Sequence, residues 1–177
     1  ERPRRPLFTL MRKAAELLAR PGGESVAVLE VGGWDSHANQ TAPNGAIAQG
    51  LRALDEGLAT LRDGLQTGNA WARTVVVVAT EFGRTVAPNG TQGSDHGSGG
   101  AAFVLGGAVA GGRVLADWPG LAPRERFEGR DLRITTDLRA VFKGVLADHL
   151  RVADAALARE VFPGSTAVAP LRGLLRG

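Results

Sequence analysis

Five acidic or imidazole side chains in this sequence fall where ligands or catalysts are commonly found. Asp35 and His37 sit in the run Gly32-Gly33-Trp34-Asp35-Ser36-His37, Glu81 follows the Val-rich run 75–78, and Asp95-His96 lies in a Gly/Ser segment. Crowded carboxylates repel one another and resist ionisation unless a cation sits among them. Imidazole mixed with carboxylate suits zinc, iron or manganese, while an all-oxygen set suits magnesium or calcium. A site built from Asp35, His37, Glu81, Asp95 and His96 therefore points to a divalent metal, with zinc as first expectation and manganese, iron or calcium as alternatives. Such a metal could polarise a phosphoryl oxygen or lower the pKa of bound water. Arg84 adds a planar guanidinium fork for an anionic substrate.

Each residue also has a plainer reading. Asp35 could satisfy loop amides after Gly33. Glu81 could be a solvated carboxylate or the ion-pair partner of Arg84. Asp95-His96 could belong to an exposed turn. His149 lies near the end of a predicted helix, where the helix dipole favours a surface imidazole. The metal reading rests on the five residues acting together.

The elements that must position them read as follows. Residues 7–20 predict a helix, with Leu7, Leu10, Met11, Ala14, Leu17 and Leu18 at helical spacing. Residues 26–31 (VAVLEV) predict a buried strand. Ile47, Leu51, Leu54, Leu58, Leu61 and Leu65 mark the clearest amphipathic helix. Residues 74–80 (TVVVVAT) predict the clearest strand, because four consecutive Val are stiff at χ1. Residues 101–105 predict a third strand, and 112–115 an edge strand. Thr135 or Thr136 could cap a helix that Asp137 favours electrostatically, with Leu138, Val141, Phe142, Val145, Leu146 and Leu150 as its stripe.

This order predicts one α/β domain over residues 1–177, a largely parallel sheet with helices on both faces. Ligands of such sheets bind beyond the carboxyl ends of the strands. The loops carrying the five residues would then converge on one edge.

Composition bounds the alternatives. The chain has 177 residues, 44% hydrophobic and 22% charged, as expected for a folded domain. It has no Cys, which excludes disulfides and thiol catalysis. A net charge of +3, no Tyr and no basic stripe leave nucleic-acid binding without support. Arg2, Arg4 and Arg5 read as a solvated terminal arm. No stretch approaches the roughly 20 apolar residues of a membrane span. A small anionic ester is the expected partner, and the sequence leaves the oligomeric state open.

Four blocks carry a further resemblance: GGWDSHANQ, VVVVATEFGRTVAPNG, GSDHGSGGAAFVLGGAVAGG and ITTDLRAVFKGVL. In that order they resemble the sulfatase-like bacterial family called domain of unknown function fifteen-hundred-and-one, from about Val26 to Leu150. That family looks like a branch of the alkaline phosphatase superfamily, whose members hydrolyse or transfer phosphate and sulfate esters at one or two metals. The resemblance implies an alkaline-phosphatase-like fold. It implies Asp35, His37 and His96 as ligands of one metal. Glu81 falls where the superfamily carries an Asp-His pair, but Phe82 follows it here, so one expected ligand is missing. Asp95 and Arg84 belong to the family's own blocks. The resemblance also implies export to the periplasm or secretion. It makes the chain a C-terminal half, incomplete at its N-terminus, whose nucleophile would lie upstream. A non-catalytic module, or an inactive fragment, is the alternative to a phosphoesterase or sulfatase.

Overall fold

The computed structural model describes residues 5–177, so Arg2 and Arg4 lie outside the described residues. The chain forms two compact units. Among the described residues, one comprises 5–73 and 85–95, the other 74–84 and 96–177.

In the first unit, helix α1 spans Arg5–Leu18 and helix α2 spans Ala46–Gln66. Their pairing follows from apolar residues at steps of three and four. Leu7, Met11, Ala14 and Ala15 are buried on α1, and Ala53, Gly57, Leu61 and Leu65 on α2. Leu61 and Leu65 of the predicted stripe are buried, but nearer the helix start the buried positions shift to Ala53 and Gly57, and Leu51 stays half exposed. Small residues explain the shift. A Cβ on Gly57 would stand 3.3 Å from the Leu7 side chain, and one on Gly64 would stand 2.7 Å from Ala15 Cβ. The helices meet where α2 is narrowest, and Leu61 and Leu65 close the seam. Truncating either to Ala should cost about 2–5 kcal/mol.

In the second unit, β1 (Val76–Val78) pairs antiparallel with β4 (Phe103–Leu105), and β2 (Gly83–Arg84) pairs antiparallel with β3 (His96–Gly97). Helix α3 spans Leu138–Leu150. Asp137 caps it, accepting from the Arg139 amide at 2.8 Å. Val141, Val145 and Leu174 form the core, with Val75, Val77, Val104, Leu138, Leu171 and Leu175 packed against it. A short α-turn (Asp154–Ala156) runs into a π-helical turn (Leu157–Val161).

The predicted largely parallel, alkaline-phosphatase-like sheet with helices on both faces is overturned. The described residues contain two two-stranded sheets, and both are antiparallel. The Val-rich run forms a strand of only three residues. Residues 26–31 form no strand at all, and Val26 and Val28 are 58% and 91% exposed. A strand requires a hydrogen-bonded neighbour, and an apolar β-branched run supplies only the propensity. Residues 112–115 likewise remain irregular, with Val114 exposed.

Candidate metal site

The site begins with the segment 34–40 and the hairpin turn 85–95. Trp34 anchors the first: its ring lies so close to α2 that a Cβ on Gly50 would stand 3.2 Å from it. Trp34 thus packs on a helix. The chain then turns, with the Ser36 amide donating to the Trp34 carbonyl at 2.9 Å.

The turn 85–95 extends the β2–β3 ladder and is tied to segment 37–40 by backbone bonds. Thr85 N donates to Asp95 O at 3.0 Å. Asn39 N donates to Thr91 O at 3.0 Å, and Gln40 N to Gln92 O at 3.0 Å. Side chains reinforce the tie. Asn89 Nδ2 donates to the His37 carbonyl at 3.0 Å, and Thr91 Oγ1 donates to the same carbonyl at 2.7 Å. Asn89 Oδ1 accepts from the amides of Thr91 and Gly93, both at 3.0 Å. Ser94 Oγ donates to Gln40 Oε1 at 2.8 Å.

The glycines of this region serve contacts between backbones. A Cβ on Gly93 would stand 2.0 Å from the His37 carbonyl oxygen. On Gly83 it would stand 1.7 Å from the Gly99 carbonyl oxygen, and on Gly99 it would stand 2.4 Å from that of Leu132. At each of these positions the space that a Cβ would need is taken by neighbouring backbone.

These ties set the His37 ring between two carboxylates. Nε2 lies 2.9 Å from Asp35 Oδ1, and Nδ1 lies 3.4 Å from Asp95 Oδ1. Asp95 Oδ1 also accepts from Asn89 Nδ2 at 3.0 Å. All three side chains are about half exposed, so solvent weakens each contact. A neutral imidazole carries one N–H and one lone pair, so it can donate to only one of the two carboxylates.

His96 follows Asp95 directly and faces Arg84 across the β2–β3 register. Its ring stacks on Phe82, with centroids 4.1 Å apart, and the Arg84 guanidinium lies 5.4 Å over the same Phe82 ring. Asp35, His37 and His96 form a group that could hold a metal ion, each offering one ligand atom within 4.8 Å of the others. All three are exposed. One carboxylate oxygen with two imidazole nitrogens is a donor set suited to zinc. Glu81 and Asp95, also expected as ligands, are not members of this group. Glu81 is exposed at the end of the Val-rich segment.

Asn89, Thr91 and Gln40 were missed as supports. Asn89 stands in Pro88-Asn89-Gly90, and Asn in such a turn commonly bonds nearby amides through its side chain. That signal predicts the turn, whereas the reach to His37 is non-local. Asp131 was also missed. It is buried, accepts from Ser98 Oγ at 3.0 Å, and lies 2.9 Å from Arg130 Nε. That second contact, to Oδ1, is an ion pair, while Oδ2 accepts a hydrogen bond from Arg130 Nη2 at 3.1 Å.

No helix among the described residues is long and apolar enough to cross a membrane. In comparisons with known proteins, the family model "Protein of unknown function (DUF1501)" matches residues 13–162. Neither the curated proteins nor the solved structures gave a match.

Proposed function

The chain belongs to the DUF1501 family of proteins of unknown function, and we propose that it binds one divalent cation, zinc first, and serves hydrolysis of a phosphate or sulfate ester. The observation that carries this reading is the gathering of Asp35, His37 and His96 ligand atoms within 4.8 Å. Three protein ligands is the number commonly supplied by zinc sites that do chemistry. When bound, the cation would supply Lewis-acid polarisation of a phosphoryl or sulfuryl oxygen.

The chain's own residues have separate tasks. Asp35 and the two imidazoles hold the cation. Arg84, beside His96 in the hairpin register, offers its guanidinium fork to the substrate's anionic oxygens. Phe82 covers one face of His96 and restricts the tilt of that ring. The sulfatase-like affiliation and export to the periplasm or beyond are part of this proposal. They rest on the order of the sequence blocks, and the antiparallel sheets add nothing to them.

One observation favours a second reading. Where the superfamily pattern calls for another ligand, the Phe82 ring packs on His96 at 4.1 Å. A site with a single cation, kept for stability or partner binding, fits that substitution.

Turnover of 4-nitrophenyl phosphate and 4-nitrophenyl sulfate by zinc-loaded protein separates the two. The hydrolase reading expects metal-dependent release of nitrophenol that Asp35→Ala abolishes while the fold persists. Full zinc occupancy with no release from either ester would favour the non-catalytic reading.

A further inference from the structure

Asp95 stands closest to His37 on the side away from Asp35, and the arrangement around it is built. Asn89 Nδ2 holds both Asp95 Oδ1 and the His37 carbonyl, each at 3.0 Å. The Asp95 backbone is fixed in turn: its amide donates to Thr85 Oγ1 at 3.2 Å and its carbonyl accepts from Thr85 N at 3.0 Å. One asparagine and one threonine therefore set the carboxylate against the Nδ1 edge of the ring.

We infer that Asp95 is a positioning residue, which holds the proton of His37 on Nδ1 and so turns the Nε2 lone pair toward the cation. The inference rests on the metal-site reading above. An ionised carboxylate only accepts, so Asp95 can bond His37 only if Nδ1 carries the hydrogen. Neutral imidazole then has its lone pair on Nε2, the nitrogen 2.9 Å from Asp35 Oδ1. Without a cation, two lone pairs would face each other across that gap. With one there, both become ligands. A carboxylate that orients a ligating imidazole through its other nitrogen is a general feature of metal sites. It also accounts for Asp95 standing outside the group of three while lying within 3.4 Å of one of its members.

The test begins without metal. Long-range nitrogen–proton NMR of Asp35→Ala should show neutral His37 as the Nδ1–H tautomer, held by Asp95 at the Nδ1 edge of the ring. Adding Asp95→Ala should shift the balance away from Nδ1–H and toward Nε2–H. An Nε2–H ring in Asp35→Ala with Asp95 intact would overturn the inference. In otherwise unaltered protein, Asp95→Ala should weaken zinc binding about tenfold. The visible spectrum of the cobalt-substituted protein should keep its shape. A changed spectrum would make Asp95 a ligand and equally overturn it. Should truncation unfold the chain, Asp95→Asn keeps the shape, removes the charge and should act in the same direction. Wild-type protein that takes up no zinc would end the metal reading, while the tautomer comparison would still decide what Asp95 does.

Discussion

Gly93 lies directly against the His37 backbone: a Cβ at position 93 would stand 2.0 Å from the His37 carbonyl oxygen and 2.2 Å from its carbon. Neither atom is the end of a flexible side chain, so the backbones themselves would have to part. Gly93→Ala should destabilise the first unit by about 1–3 kcal/mol. It should also weaken zinc binding, since His37 moves with the displaced segment. Thermal melts alongside zinc titration check both, and unchanged values would show that the turn does not set His37.

Asn89 is the most heavily used side chain of that turn. It donates to His37 O and Asp95 Oδ1 and accepts from Thr91 N and Gly93 N. Much of this network is exposed, so water replaces part of it. Asn89→Ala should cost about 1–2 kcal/mol. Protease susceptibility between residues 85 and 95 should rise, as mapped by limited proteolysis and mass spectrometry.

Lys143 is 1% exposed in the middle of α3, and its Nζ donates to the carbonyls of Ser165 and Val168 at 2.6 and 2.8 Å. It pins the segment after the π-helical turn onto the helix. Lys143→Met keeps the volume and removes both donors, leaving two carbonyls unpaired. The expected loss is about 2–3 kcal/mol, read from urea unfolding. A neutral result would mean that water takes over both carbonyls.

Helix α3 should carry an acid-sensitive contribution. The Arg139 side chain bonds the Asp137 carboxyl and holds its pKa below the ordinary value, against a smaller opposing effect of burial. A depressed folded-state pKa stabilises above the unfolded pKa of about 4, and the contribution fades as pH falls through the lower folded value. Asp137→Ala should cost about 1 kcal/mol near neutrality through the lost N-cap. Its stability should then approach that of the wild type as pH falls below the unfolded value of about 4. Unfolding curves from pH 7 to pH 2 test this, and a constant gap would contradict it.

The sequence made the helices legible because their signal is local. The spacing of Leu61 and Leu65, and of Val141 and Val145, needs only neighbours three or four residues away. Even so, the choice of face on α2 depended on how closely α1 could approach Gly57 and Gly64, which periodicity does not contain. Strands failed for the same reason. Val26 and Val76 have the same propensity, yet only Val76 has a partner, Leu105, some thirty residues further on. Within the site, Asp35 and His37 were visible as a short-range pair. The role of Asp95 depended on Asn89 and Thr85, whose reach across the hairpin leaves no mark on local spacing. Glu81, a carboxylate at a strand end, was equally visible in the sequence, and it lies outside the group of three.

The central claim is that Asp35, His37 and His96 share one cation, and equilibrium zinc titration of the wild type beside His37→Ala and His96→Ala tests it most directly. The account predicts a single tight zinc per chain that each substitution abolishes or weakens by orders of magnitude. Retention of wild-type zinc affinity by either variant would contradict it.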